Sequence, residues 1–373
     1  MSQYFSQAAR RGALAISTIL GLGLLTAPVA FGGGAAVPDV MDLPAAANPR
    51  ATHMLQLGLA RAGTRLVSVG EGGVVLLSDD DGHNWRQAGA VPVSVTLTDV
   101  DFADARNGWA VGHGGIVLHS ADGGETWQRQ MDGVTAAQLV AAEAKAMADT
   151  GAPGADAAVR NGEYMIADGP DKPFLDVRFV DAAHGWVVGA YGLALATADG
   201  GATWTSITAH IGNRGGKHLY RIEPLGTGLF IAGEQGALFH AADREGAFTP
   251  IDSGYEGTFF GFLPLLDGGV LAYGLKGNVW RAGPGLDGWH RIELGQDVTI
   301  TAGLTLADGS LLLGDEGGRL MHSTDGGRSF KTAEISGSTG LTALAEAADG
   351  AIVAASPRGN ARLAEAGAAK ETN

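Results

Sequence analysis

Cysteine is absent from the 373 residues, so no disulfide, thiol nucleophile or lipid-anchored cysteine is available. Charge is scarce as well: 17% of residues are Asp, Glu, Lys or Arg, against 45% apolar, which excludes disorder as the default state. Positive charge is scarcer still. The formal net charge is −15, and removing a leader that holds Arg10 and Arg11 but no acid leaves 23 positive against 40 negative groups, or −17. An acidic body of this kind repels phosphate backbones, so nucleic acid is excluded as a partner class. No apolar run reaches the ~20 residues that cross a bilayer. The longest, Ala13–Leu25, follows the two arginines and precedes the small residues Ala27, Ala30, Gly32 and Ala36. Residues 1–30 therefore read as an export signal, which places the remaining chain in an exported compartment with no membrane span after cleavage. Arg10 and Arg11 also hint at the twin-arginine route.

What the chain has in abundance is glycine, 60 residues without a collagen-like period. The glycines fall in a repeat: a Gly-x-Gly-Gly turn, a short apolar strand, then Ser/Thr-x-Asp-x-Gly-x-x-Trp. Aligned on the last glycine of the turn, the copies lie at Gly73, Gly115, Gly192, Gly236, Gly277, Gly318 and Gly359, at intervals of 42, 77, 44, 41, 41 and 41 residues. A period near 40 with several short strands per copy predicts an all-β fold, a seven-bladed propeller of four-stranded antiparallel blades over residues 36–365. A polar tail, 366–373, follows. Residues 97–130 show one blade: strands at Leu97–Phe102, Gly108–Val111, Ile116–Ser120 and Thr126–Gln130, separated by turns. The seventh copy stops at Ala361–Leu363, and Val37–Leu43 is expected to supply its fourth strand and close the ring.

The Asp-box copies are Ser78/Asp80/Trp85, Ser120/Asp122/Trp127, Thr197/Asp199/Trp204 and Ser323/Asp325/Phe330. In each, the carboxylate and hydroxyl accept amides of their own loop, and the aromatic ring is expected to plug the gap between blades. Seven-fold geometry spreads these turns around the rim, which makes them structural and not a catalytic or metal array. His113 and His119 stand at opposite ends of one strand and no His/Asp/Glu cluster has ligand spacing, so neither metal nor cofactor is expected.

Between blades two and three lie about 35 extra residues, an insertion over 131–172. Gly133–Asp149 reads as a helix of about four turns and Gly151–Gly169 as loop. Topology places this insertion on the same face as the Gly-x-Gly-Gly turns and opposite the Asp-boxes. The turns repeat a glycine framework while presenting Glu71, His113, Tyr191, Glu234, Lys276 and Glu316. A fixed scaffold with varied side chains suits recognition, so this face is the expected partner-binding surface.

The run Asn107–Trp127 (NGWAVGHGGIVLHSADGGETW) and the segment from His184 to Trp204 resemble repeats of the photosystem II stability/assembly factor family, Asp-box (BNR-type) seven-bladed propellers. The strands Leu97–Phe102 and Phe174–Phe179 are similar to that family's inner strand. The resemblance implies a non-catalytic, monomeric scaffold that binds a membrane protein complex or its assembly intermediates. The compartment would be the periplasm, or the thylakoid lumen side in a photosynthetic cell; similar propellers accompany RND-type envelope transporters. Two departures mark this chain: the insertion, and an acidic charge without an evident basic patch. The rival reading is a sialidase-like glycoside hydrolase of the same propeller class, which needs three inner-strand arginines and a Tyr–Glu nucleophile pair. The candidates are Arg178 and Arg221 with Tyr220 and Glu223; a third arginine is not evident. A small-molecule or lipid carrier using the central channel is a further reading, favoured only by Phe259, Phe260 and Phe262 on one inner strand, which read better as blade core.

Overall fold

A computed structural model describes residues 39–334 and 339–363. The expected signal over 1–30 and the tail over 366–373 lie outside them. Seven antiparallel sheets follow one another along the chain, six of four strands and, among the described residues, one of three. The inner strands are Gln56–Ala62, Leu97–Phe102, Phe174–Phe179, Leu219–Leu225, Phe259–Pro264, Ile300–Thr305 and Ala343–Glu346. The second strands are buried end to end in blades two to seven, as in Gly108–Gly112 and Gly185–Gly189, and in blade one all but Arg65 is buried, because each has blades on both sides.

In blades one to six the inner strand carries a bulge after its first residue, seen as register shifts such as Gln56/Gly58, Leu97/Asp99 and Leu219/Arg221. A bulge re-aims one side chain. Here it turns Leu57, Thr98, Leu175, Tyr220, Phe260 and Thr301 into the central channel. The threonines then clasp the next blade: Thr98 Oγ1 donates to Phe174 O at 2.7 Å and Thr301 Oγ1 to Leu341 O at 2.5 Å.

The Asp-box turns are all built alike. Ser120 Oγ donates to Asp122 at 2.8 Å and accepts the buried Gly124 N–H at 2.8 Å. The residue before the aromatic completes the loop, because Thr126 gives both its amide (2.9 Å) and its hydroxyl (2.6 Å) to Asp122. Asn84, Thr203 and Ser329 do the same for Asp80, Asp199 and Asp325. The Asn84 side chain and amide hold the Asp80 carboxyl down at about 2.

The aromatic plugs are less uniform than the loops that hold them. Trp127 and Trp204 are buried as expected, and Trp127 packs among Val67, Leu77 and Val91 of the preceding blade. Trp85 and Phe330 depart from that expectation: both are half-buried and seal their gaps on one side alone. Trp85 faces blade seven, which has three strands among the described residues. The indole rests on Leu66, Val353 and Leu76. Phe330 carries a phenyl ring where the other boxes carry an indole; it reaches the core of Leu263, Leu271 and Leu311 but is too short to fill the gap.

The closing strand expected from Val37–Leu43 is not found: the described part, 39–43, is a turn that pairs with nothing near 361–363. Asp39 Oδ1 accepts the Met41 amide at 3.0 Å and its carbonyl accepts the Asp42 amide, a local loop that competes with extension. The segment lies along blades one and two instead, with Ser94 N donating to Val40 O at 2.9 Å and Arg129 bonding Met41 O and Asp42. The ring closes by side chains. Thr342 Oγ1 donates to Gln56 O at 2.7 Å, Ser68 Oγ to Asn360 at 3.1 Å and Arg362 to Asp81 O at 2.6 Å. Beneath these bonds Leu59 and Leu66 pack on Ala345, Val353 and Ala355.

The insertion is a pair of helices and not a helix with a loop. Helix α1 spans Gly133–Thr150 and α2 spans Ala155–Asp168. Asp132 caps α1 by accepting the Thr135 amide at 3.0 Å, and Gly151 ends it in the left-handed conformation at φ 66°. The helices meet at Gly162, where a β-carbon would stand 2.8 Å from Ala141 Cα. Ala136, Ala137 and Val140 of α1 and Met165 of α2 join Trp109, Phe174 and Trp204 in one core. Glu143 fastens α1 to blade three by accepting the Ser206 hydroxyl at 2.5 Å and the Ala209 amide at 3.3 Å.

Candidate partner-binding site

The turns after the second strands share one backbone design. The residue after the first glycine donates its amide to the carbonyl just before or at the start of the inner strand: Glu71 to Leu55 O, His113 to Thr96 O, Ala190 to Pro173 O, Glu234 to His218 O and Glu316 to Thr299 O. At that position Glu71, Glu234 and Glu316 also return a carboxylate to the partner's own amide, at 3.0, 2.9 and 3.4 Å. The three glutamates expected to greet a partner thus brace their own blades. Their spacing of 16 or 17 residues from the acceptor amide is the signal that sequence reasoning missed.

The next position is left-handed. Glycine fills it in blades one and two (Gly72 φ 65°, Gly114 φ 70°), but blades three to five place Tyr191, Gln235 and Lys276 there, at φ 57°, 52° and 55°. A side chain in this region costs about 1–2 kcal/mol. Three consecutive blades bear that cost with side chains that reach solvent, which points to use and not to packing. Tyr191, 44% exposed, is the best supported. Its amide donates to His218 Nδ1 at 2.9 Å and its ring meets the His218 ring edge-on at 5.0 Å.

The insertion meets the same spot. Lys172 Nζ lies 5.7 Å from the centre of the Tyr164 ring on α2 and 5.5 Å from that of Tyr191. Burial works against the Lys172 charge, but Asp168 and Asp171, at 2.5 and 3.0 Å, raise its pKa above the ordinary lysine value. The cation therefore stays charged and ties helix, strand and turn together. Tyr164 and Tyr191 are themselves exposed, and the helix pair also exposes Val134 and Ile166, four of the seven large apolar side chains exposed among the described residues. Of the remaining expected contacts, His113 stands in blade two and Lys276 in blade five, both at the surface.

The central channel, about 510 Å³, is the second concave feature. Its polar wall comes from equivalent positions of three inner strands: Asp99 and Asp101, Asp176 and Arg178, Arg221 and Glu223. Each acid binds an amide of the next blade, Asp99 to Val177 at 3.2 Å, Asp101 to Phe179 at 2.7 Å and Asp176 to Ile222 at 2.8 Å. Arg178 lies 2.9 Å from Glu223 and 3.2 Å from Asp101; Arg221 bonds Asp176 at 3.0 Å and also Glu223. Burial raises the Asp99 and Asp176 pKa values, Asp176 strongly, and the nearby Asp99 charge adds to the rise at Asp176. For Arg221, burial opposes charge but Asp176, Glu223 and Asp99 push its pKa well above the ordinary value. Protein surrounds this guanidinium, yet 33% of the side chain's surface opens on the channel.

A third inner-strand arginine does exist: Arg61, next to last in the first inner strand, lines the channel, contrary to expectation. Its guanidinium donates to Gly63 O and Glu346 O. All three arginines are thus engaged by the protein, and Tyr220 packs edge-on against Phe260 at 5.2 Å while Glu223 sits between Arg178 and Arg221. Phe259 and Phe262 belong to the blade core, and only Phe260 of that trio faces the channel. Among the described residues no group of three or more His, Asp or Glu is placed to hold a metal ion.

The sequence model of the family described as Photosynthesis system II assembly factor YCF48 matches residues 82–147 and 164–253. The unmatched stretch, 148–163, holds the join between the helices and most of α2. No curated protein sequence matches. Among solved structures, YCF48 bound to D1 peptide is similar at 15% identity and a TM-score of 0.61, covering 84% of this chain and 94% of that one. YCF48 from Cyanidioschyzon merolae is similar at 14% identity and 0.60, covering 83% and 95%. The GH74 xyloglucanase from Xanthomonas campestris is similar at 13% and 0.59, covering 83% of this chain and 52% of that one. At such identities these likenesses show the fold alone. By its repeats and its fold the chain is a seven-bladed Asp-box β-propeller, and over residues 82–147 and 164–253 it is similar to the family described as Photosynthesis system II assembly factor YCF48.

Proposed function

We propose that this propeller is a non-catalytic scaffold that receives a segment of a membrane-complex subunit, or of its assembly intermediate, on the face shared by the helix pair and the blade-three turn. The observation that carries this reading is Tyr191: an exposed ring held at φ 57°, joined to the exposed Tyr164 of α2 through Lys172 between them. The similar propeller YCF48 has been solved bound to D1 peptide, which supports a peptide-binding role for this chain's face. Engagement of Arg61, Arg178 and Arg221 by protein groups supports the absence of a carboxylate-clamping active site. Export by residues 1–30 would bring the scaffold to the outer side of the membrane that holds its client. A single-sided, monomeric disc suits that task.

The test is retention of detergent-solubilised membrane complexes from the source cell on the immobilised mature chain. Tyr164→Ser, Ile166→Ser and Tyr191→Ser together should lower retention at least tenfold with the thermal midpoint nearly unchanged. Retention equal to the wild type would move the interface off this face.

A further inference from the structure

The loop Gly212–Lys217, which links blades three and four, separates two hollows. One, about 600 Å³, lies between this loop and the helix pair and is walled by Val140, Ala144, Met147, Ala157 and Ala158. The other, about 490 Å³, lies against blade four and is walled by Leu238, Phe239, Pro250 and Ile251. Gly212, Asn213 and Arg214 line both. The loop is a low, fixed saddle. Asn213 binds Lys217 through both side-chain atoms, at 2.8 and 3.1 Å, Gly216 N donates to Asn213 O at 3.0 Å, and Lys217 Nζ to Gln235 O at 2.9 Å. Glycines at 212, 215 and 216 leave little side-chain bulk on its crest.

Arg214 is the exception on that crest. It is exposed, and among the described residues its guanidinium has no hydrogen bond or ion pair, in contrast to Arg178 and Arg221 in the channel. An unpaired cation in a chain of net charge −15, on the lip common to two apolar hollows, selects for a carboxylate flanked by apolar groups.

We propose that the client segment is an extended peptide that crosses this saddle, with one apolar side chain in each hollow and an Asp or Glu side chain between them on Arg214. This inference rests on the reading of the helix-pair face as the binding face and names the chemistry of what binds there. The overall acidity of the body disfavours further acids in the segment, so a single central carboxylate is the expected signature.

A random dodecapeptide library displayed on phage and selected on the folded chain tests it. Enriched peptides should carry one acidic residue between two large apolar ones. As synthetic peptides they should lose at least tenfold in affinity to Arg214→Glu, on the saddle, and to Ala157→Trp, which fills the first hollow from an exposed helix position. Enrichment of peptides without the central acid, binding indifferent to both variants, or no enrichment at all would overturn the proposal. If that happens while the triple serine variant still loses membrane complexes, the saddle is wrong and the face is right. If retention of complexes also survives that variant, the functional reading falls with it.

Discussion

The turn geometry makes a quantitative demand on three single substitutions. At Gly72 a β-carbon would meet nothing nearer than Met54 Cε at 3.8 Å, so Gly72→Ala isolates the backbone cost of φ 65°. That cost is about 1–2 kcal/mol, offset by about 0.5–1 kcal/mol because alanine has less freedom to lose from the unfolded chain. The net expectation is a loss near ~0.5–1 kcal/mol. At the adjacent Gly73, φ is 71° and the added carbon would stand 2.1 Å from Val93 O. Gly73→Ala adds an overpacking cost of about 1–3 kcal/mol, for a total loss of roughly 2–4 kcal/mol. Gln235 occupies the position equivalent to Gly72 with an exposed side chain and φ 52°, so Gln235→Gly should gain what Gly72→Ala loses, about 0.5–1 kcal/mol. Urea unfolding followed by tryptophan fluorescence reads all three. Equal losses at Gly72 and Gly73, or a destabilised Gln235→Gly, would refute the claim that left-handed backbone is held against its preference across blades three to five.

Ser120→Ala should cost about 1–3 kcal/mol in the same assay, because it leaves the buried Gly124 amide without an acceptor. Glu234→Ala should cost about 1 kcal/mol through the loss of the His218 amide bond, whereas Glu234→Gln keeps an acceptor and should cost less. Neither should change peptide affinity by more than twofold if these glutamates brace and do not bind. The Asp99–Asp176 pair sets a pH signature. Both carboxyls are raised in the folded state, so they favour folding fully below the ordinary aspartate range near 4, and that contribution erodes as pH rises through the raised values. Asp99→Asn should therefore gain on the wild type as pH goes from 4 to 8; a constant difference in urea midpoint would show that the pair does not hold its proton. Asp80 has the opposite sign. Its carboxyl, lowered to about 2 by Asn84, adds stability above pH ~4 that is lost as pH falls toward 2, and Asn84→Ala should narrow that window.

The blades were legible because each repeat carries its own local chemistry: glycines for a left-handed turn, an alternating strand, and a hydroxyl–carboxylate loop closed by an aromatic. Features made between repeats were harder to read. The loops of the four Asp-boxes agree, yet Trp85 and Phe330 stay half-buried where Trp127 and Trp204 are buried, a difference the repeat motif itself does not encode. The channel network joins residues 45–78 positions apart, but it leaves a trace, since Leu-Thr-Asp-Val-Asp-Phe, Phe-Leu-Asp-Val-Arg-Phe and Leu-Tyr-Arg-Ile-Glu-Pro place charges at the same third and fifth positions. The second helix was missed because Gly154 and Gly162 and few apolar residues mask it; Gly162 lies close against Ala141 and Met165 sits in the core beside it. The turn at 39–43 defeated the expected closing strand for a local reason: an aspartate after Pro38 satisfies its own neighbours first. On the proposed partner face, sequence variation singled out the turns but could not separate the glutamates that bond inward from Tyr191, which is exposed.

The contact of Gly162 with Ala141 has a thermodynamic corollary. Two helices joined without intervening side chains, fastened by Glu143 at one end and Lys172 at the other, cannot readily part, so the wall they present is set before any guest arrives. The entropy lost on association then falls on the visitor alone. Stiffening that visitor, by cyclisation or a well-placed proline, should lengthen its residence, while further rigidifying the host would add nothing.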